Sequence, residues 1–250
     1  MKQYIQIECP SCESQDLVKN GKSENGTQRY RCNACRRSFQ WEYTYYAWIP
    51  DVKAQITTQT LNGSGVRDIS RNLGISKDTV IAELKKKDPA EVNVAYAEHL
   101  KNQASSGIDV EIHLDAVADE FWSYVGEKSN QRWTWYALDR ANGTILAHQN
   151  GRRTDEMCEQ LLAKLDAFPI ATYYTDNWQS YAKFIPSEQH CIGKKNTWKI
   201  ERTNLNFRTH LKRLQRKTIC FSKNEEIHDK VLGLYIEQHY YKTMGYAQAA

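Results

Sequence analysis

No stretch of this 250-residue chain approaches the roughly 18–20 consecutive apolar residues that a membrane-spanning helix requires. A membrane-embedded class is thereby set aside, and no membrane partner is expected. Met1-Lys2-Gln3 lacks the charged and apolar pattern of a targeting segment, which predicts a soluble intracellular protein in a reducing compartment. Internal repeats and low-complexity tracts are also missing. Charge of one sign is not in large excess: 34 Lys and Arg against 30 Asp and Glu leave +4, too little to prove a nucleic-acid partner. With 40% hydrophobic and 26% charged residues the composition is globular, so wholesale disorder is not expected. The length allows one sizeable core plus one or two small modules.

What is present begins with cysteine. Cys9-x-x-Cys12 and Cys32-x-x-Cys35 are two knuckles separated by 19 residues, a spacing that lets four thiolates bind one tetrahedral Zn²⁺. Asn20-Gly21 and Asn25-Gly26 supply turn signals between them, as a zinc ribbon needs. Paired disulfides are the competing explanation, disfavoured by the expected compartment. Four sulfur ligands leave no open coordination position, so this zinc is expected to be structural. Cys158, Cys191 and Cys220 stand singly and read as small, partly buried apolar residues.

Beyond the ribbon, alternating Phe39, Trp41, Tyr43 and Tyr45 suggest a strand that Pro50 closes off. Residues 51–62, 66–73 and 77–87 then read as three helices. The last two are joined by Leu73-Gly74-Ile75-Ser76, a tight turn with Ser76 as N-cap. That is a helix-turn-helix, and behind a zinc ribbon it points to DNA. Val80, Ile81 and Leu84 suit packing, while Lys77, Asp78 and Thr79 occupy the exposed N-terminal end from which base edges are read. Arg71 and Lys85–Lys87 suit phosphate contacts. Residues 88–108 are polar and irregular and read as a linker with one or two helical turns around Ala95–Asn102.

Past residue 108 the pattern changes to strands: 108–114 running toward or resuming at Asp119, then 121–125, 132–138 and 144–149, the last pair joined by a hairpin turn over 139–143. A helix over 154–165, a short strand over 171–175 and helices over 199–216 and 225–240 complete an α/β layer architecture in the order used by the ribonuclease H-like fold. Asp119, Asp176 and Glu201 fall on three separate elements. Carboxylates so distributed can converge on two Mg²⁺ ions, the arrangement suited to phosphodiester cleavage. Asp139, in Leu-Asp-Arg-Ala-Asn-Gly, is explained by turn chemistry. Glu201 is the single acid in a 25-residue block, Gly193–Lys217, that holds nine Lys or Arg. Within or near that block Lys194, Lys195, Arg202, Arg208 and Lys212 are candidate phosphate contacts. Trp122 and Trp178 flank two of the acids and read as core residues before base-stacking ones, and His190 reads as structural.

In order from residue 9 to about 240, the segments CPSC, GKS, QRYRCNACR, ADEFWSYVG, QRWTWYALD, YYTDNWQSY, KIERTNLNFRTHLKRLQRKT and FSKNEEIHDKVLG resemble the Insertion Sequence One family of bacterial transposases, of the DDE group. The resemblance implies a zinc ribbon over 1–48, a helix-turn-helix domain over 49–88, a linker over 89–107 and a ribonuclease H-like catalytic domain over 108–242. It implies Asp119, from D-E-x-W, as first catalytic acid, Asp176, from T-D-x-W, as second and Glu201, from I-E-R-x-N, as third. Asp115, at the end of IHLD, competes for the first place. It further implies Mg²⁺, with Mn²⁺ as a substitute, at those acids. Double-stranded element ends and target DNA are the implied partners, bound by a homo-oligomer in a bacterial cytoplasm, in association with the nucleoid. Two readings compete: a zinc-ribbon and helix-turn-helix regulator of transcription, and a nuclease of the same fold that does not join strands.

Overall fold

The computed structural model of the chain describes residues 6–24, 26–41, 45–104, 113–193, 198–215 and 217–241. It divides into two compact units, residues 1–49 and 50–250. In the first, β1 (Leu17–Lys22), β2 (Gln28–Cys32) and β3 (Ser38–Gln40) form an antiparallel sheet in chain order. So small a sheet buries little: Cys9, Cys32 and Phe39 are its interior, with Tyr30 packed 6.1 Å from the Phe39 ring. This is a zinc ribbon. The strand expected to continue through Trp41 and Tyr45 ends at Gln40, and Tyr43 lies outside the described residues.

The second unit opens with α1 (Pro50–Leu61), α2 (Val66–Leu73) and α3 (Lys77–Lys85). Gly74, at φ 63°, takes the left-handed conformation that ends α2 and turns the chain. Ser76 Oγ then accepts the Thr79 N–H at 3.1 Å to start α3. Ile56, Ile69, Val80 and Leu84 are each 1% exposed or less and hold the three helices together. The expected helix-turn-helix is present, its third helix two residues shorter than the sequence suggests. Within the expected linker, the helical turns read around Ala95–Asn102 are present, extend by a few residues and pack on the core. Residues Val94–Ala104 form an eleven-residue helix, α4, with Tyr96, Ala97 and Leu100 in the main core.

A five-stranded sheet follows, in the order β6-β5-β4-β7-β8. β4 (Leu114–Val125), β5 (Glu127–Asp139) and β6 (Ile145–Gly151) are antiparallel, whereas β7 (Ile170–Thr175) and β8 (His190–Ile192) run parallel to β4. Between them come α5 (Asp155–Leu165) and α6 (Gln179–Phe184), and after them α7 (Trp198–His210) and α8 (Glu225–Ile236). This is the ribonuclease H-like order. Two expected strands, up to Leu114 and from Phe121, are in fact one, because β4 is unbroken from Leu114 to Val125; residues 108–112 lie outside the described ones. Strand alternation sends Ala116, Ala118 and Glu120 to the face covered by α4, α5 and α6. Val117, Asp119 and Phe121 face α7, where Phe121 stacks 5.3 Å from Phe207. The basic helix expected over 199–216 ends at His210, and Leu211 and Leu214 bury themselves through a short 3₁₀ turn instead.

α8 ties the helical domain to the sheet. Lys230 Nζ donates to the Lys85 and Lys87 carbonyls at 2.7 and 2.6 Å, and His228 bridges Ser123 Oγ (2.9 Å) and Ser222 Oγ (2.8 Å). Burial, reinforced by Arg213 and Arg132, lowers the His228 pKa to about 3; burial and Lys164 do the same to His148. An unfolded histidine binds its proton near pH 6.5 while these two refuse it, so the unfolded state gains protons first on acidification. Their contribution is complete above about pH 6.5 and declines toward pH 3, each by up to about 1.4 kcal/mol per pH unit. Chemical-denaturant titrations of wild type and His228→Gln at pH 7 and pH 5 should therefore converge on acidification. A constant gap between them would contradict this.

Candidate active site

Val117 of β4 is paired with Tyr174 of β7, so two residues further Asp119 and Asp176 come level where the parallel pairing ends. Asp119 points at α7. There Asn204 Nδ2 donates to Asp119 Oδ2 at 2.8 Å, while Asn204 Oδ1 lies 2.9 Å from the Tyr136 hydroxyl. That buried hydroxyl is also 3.0 Å from the Ile200 carbonyl, so Tyr136 and Asn204 together fix the first turns of α7 against the sheet. Glu201 stands in the first turn of α7, exposed. Burial raises the Asp119 pKa to about 6; the Asn204 bond opposes this, and the charges of Asp176 and Glu201 add to it. Asp176 Oδ1 accepts the Trp178 N–H at 3.0 Å, which shapes the loop after β7.

Asp115 shares the face and strand of Asp119 but sits four residues back, a displacement of about 13 Å at the usual rise. It is paired with Thr172 of β7 and forms an ion pair with Arg140 at 3.0 Å. Asp139 does more than make a turn: only 2% exposed, it accepts the Ala141 N–H at 2.7 Å and the Tyr96 hydroxyl at 2.6 Å, anchoring α4. Trp178 packs 4.9 Å from Trp135 in the core. His190 Nε2 is 2.7 Å from Thr175 Oγ1, next to Asp176. Cys158 is buried as expected, but Cys191 and Cys220 are exposed. Asn204, the Asn of I-E-R-x-N, stands out in the sequence only as part of the basic block, not as a partner of Asp119, and Tyr136 does not stand out at all.

Among the described residues, the set of metal-binding side chains whose ligand atoms already meet is Cys9, Cys12, Cys32 and Cys35, with all sulfurs within 4.8 Å of one another. The three acids are not gathered as closely. The Cys9–Cys35 and Cys12–Cys32 sulfur separations are both 3.6 Å, far from a disulfide and close to the roughly 3.8 Å edge of a tetrahedron with 2.3 Å Zn–S bonds. A backbone bond from Ser11 lowers the Cys9 thiol to about 7 and one from Cys35 lowers Cys32. Despite a backbone bond from Ser14, Cys12 goes up to about 12 through burial and its sulfur neighbours. The donor set fits a structural Zn²⁺.

Of the candidate DNA contacts, Lys77 and Asp78 are exposed at the start of α3, while the Thr79 hydroxyl is 2.9 Å from Ser76 Oγ. Arg71 is exposed and ion-paired with Asp68. On and after α7, Arg202 and Lys212 are exposed, and the Arg208 guanidinium lies over the Phe121 ring at 5.8 Å. Lys194 and Lys195 lie outside the described residues. No helix among the described residues is long and apolar enough to cross a membrane.

Residues 113–242 match the family model described as IS1 transposase, residues 4–36 the InsA N-terminal domain and residues 43–87 the InsA C-terminal domain. The insertion element iso-IS1n protein InsB of Shigella dysenteriae is 51% identical over 121 residues, covering 48% of this chain and 92% of that protein. The insertion element IS1 protein InsB of Shigella flexneri is 47% identical over 127 residues, covering 51% and 97%. Among solved structures, a chain of the simian T-cell lymphotropic virus intasome aligns over 78% of this chain and 72% of its own, at 13% identity and a TM-score of 0.40. The Mos1 strand transfer complex aligns over 79% and 76%, at 9% identity and 0.28. Those scores add nothing to the topology already described.

Proposed function

Because this chain belongs to the IS1 transposase family, we propose that it binds the ends of an insertion sequence and cuts and joins DNA at Asp119, Asp176 and Glu201. What supports this best is the register of β4 against β7, whose last pair Val117–Tyr174 carries forward to Asp119 on β4 and Asp176 just beyond β7, with Glu201 near enough to act on the Asp119 charge. Three acids with only oxygen to offer suit a hard cation such as Mg²⁺, or Mn²⁺ in its place. When bound, a pair of such ions supplies Lewis acidity to the attacking and leaving oxygens of an in-line displacement.

The chain's own residues orient the acids. Asn204 holds the Asp119 carboxylate, the Trp178 N–H holds that of Asp176, and Tyr136 seats the helix that presents Glu201. Arg202 and Arg208 of α7 and Lys212 just after it receive phosphates, a role that Lys194 and Lys195 share by sequence alone. Water first attacks the phosphodiester at the element end: its oxygen bonds to phosphorus as the P–O3′ bond breaks, leaving a 3′-hydroxyl on the element and a 5′-phosphate on the flanking strand. That hydroxyl then attacks a target phosphodiester, one P–O bond forming as another breaks, without a covalent enzyme intermediate. The chain divides its labour between a ribbon at 1–48, end recognition at 49–88 and catalysis at 108–242, and acts as a homo-oligomer on DNA.

A linear element end incubated with Mg²⁺ tests this reading. A joined product supports the transposase, nicking without joining identifies a nuclease, and binding without cutting identifies a regulator. Recognition is tested separately. Lys77→Ala should relax sequence preference at one position, at a cost of about 1–3 kcal/mol if it reads a base edge. Arg71→Ala should weaken binding to all sequences and flatten the salt dependence, and Thr79→Ala should act chiefly through the helix cap. Equal end recognition by a fragment starting at residue 90 would overturn the assignment.

A further inference from the structure

Directly after Asp119 on the opposite face of β4, the Glu120 side chain is only 2% exposed. A carboxylate so placed needs partners. Arg153 Nε donates to Glu120 Oε1 at 2.9 Å, Arg153 Nη2 reaches the same oxygen, and the Tyr181 hydroxyl donates to Oε2 at 3.0 Å. Burial raises the Glu120 pKa to about 7, the Arg153 bonds opposing that rise. Arg153 comes from the turn between β6 and α5, and its guanidinium is held between two indoles, Trp133 at 4.8 Å and Trp178 at 4.7 Å. Trp178 packs in turn on Trp135 and Tyr181, and its backbone N–H is the group that holds Asp176. An unbroken series of contacts therefore runs behind the sheet from the residue beside Asp119 to the loop of Asp176.

We infer that Glu120 and Arg153 are positioning residues that set the spacing between Asp119 and Asp176. The inference rests on the proposed metal role of those two aspartates. Asp176 lies just beyond β7, where ladder hydrogen bonds no longer fix the chain, so something else must hold its loop level with Asp119. A buried ion pair is seldom the most stabilising way to fill such a space, since apolar residues of similar volume do as well or better. What it adds is direction: the planar guanidinium fork fixes the carboxylate in one orientation and stacks on aromatic faces, which an ammonium cannot reproduce. Groups that orient metal ligands from behind commonly change metal affinity or activity ten- to a hundred-fold when lost.

The test uses the full chain with Arg153→Lys, which keeps the charge and loses the fork. Mn²⁺ binding by calorimetry, the Mg²⁺ dependence of end nicking, end-DNA affinity and Tm are measured together. The expected result is about ten- to a hundred-fold weaker Mn²⁺ binding and a matching rise in the Mg²⁺ needed for half-maximal nicking, with end-DNA affinity unchanged. Glu120→Gln keeps the volume and a polar atom toward each partner, and should behave alike should Arg153→Lys fail to fold. Wild-type metal binding and a wild-type Mg²⁺ midpoint in either folded variant would overturn the inference. So would a loss of nicking that follows Tm alone. Asp119→Asn and Asp176→Asn are the separate control: if they bind Mn²⁺ like wild type, the metal reading falls; if they lose it while Arg153→Lys does not, only the positioning role falls.

Discussion

Asp119→Asn, Asp176→Asn and Glu201→Gln should each abolish both nicking and joining while leaving binding to the element end intact. Both chemical steps are assigned to one set of acids, so no variant should separate them. End binding is assigned to α3, on a different part of the chain, and should not notice the change. The losses should also fail to add: residues that act as a unit give single variants nearly as inactive as the triple. Gel assays of nicked and joined products beside a binding titration check all of this. Asn204→Ala should be milder, because it removes one bond to Asp119 and leaves the carboxylate in place.

Removal of zinc should have the next largest effect, confined to the ribbon. Chelation should release one Zn²⁺ per chain and unfold residues 9–40, because the interior there is little more than Cys9, Cys32 and Phe39. Structural zinc contributes about 10–16 kcal/mol to modules of this kind, far more than so small a core can. Cys32→Ser, at a fully buried ligand position, should reproduce the effect, while thermal unfolding of the separate unit at 50–250 stays unchanged. Metal analysis and calorimetry decide it, and a zinc-free protein with two disulfides would refute it.

The parts of the fold that were legible in the sequence were those marked by local chemistry. Gly74 and Ser76 announce the turn of the helix-turn-helix, helical periodicity over 154–165 marks α5, and paired Cys-x-x-Cys knuckles need no tertiary knowledge. Elements fixed by distant partners were harder to read. β4 looked interrupted because Asp115, Asp119 and Glu120 break its apolar run, yet each finds its partner on another element: Arg140, Asn204 and Arg153. The helical turns of α4 are legible but their docking is not, since Tyr96, Ala97 and Leu100 are the buried residues among those described in an otherwise polar stretch. Asp139 reads locally as a turn residue, and its bond to Tyr96, 43 positions earlier, has no local signature. At the candidate site the three acids stand out by residue type and Asn204 by its place in I-E-R-x-N, whereas the bond from Asn204 to Asp119 and the Glu120–Arg153 pair follow only from the register of β4 against β7 and α7.

That register bears directly on which acid comes first. Asp115 is paired with Arg140 at the surface and lies about 13 Å along the strand from Asp119, with Thr172 and not Asp176 opposite it. Exposed ion pairs of that kind are worth about 0–1 kcal/mol, so Asp115→Asn should fold and bind as wild type does. The decisive measurement is Mg²⁺-dependent nicking of a linear element end by Asp115→Asn and Asp119→Asn side by side. Near-wild-type cutting is expected from Asp115→Asn and none from Asp119→Asn; cutting by Asp119→Asn, with or without loss in Asp115→Asn, would rule out Asp119 as the first metal-binding acid.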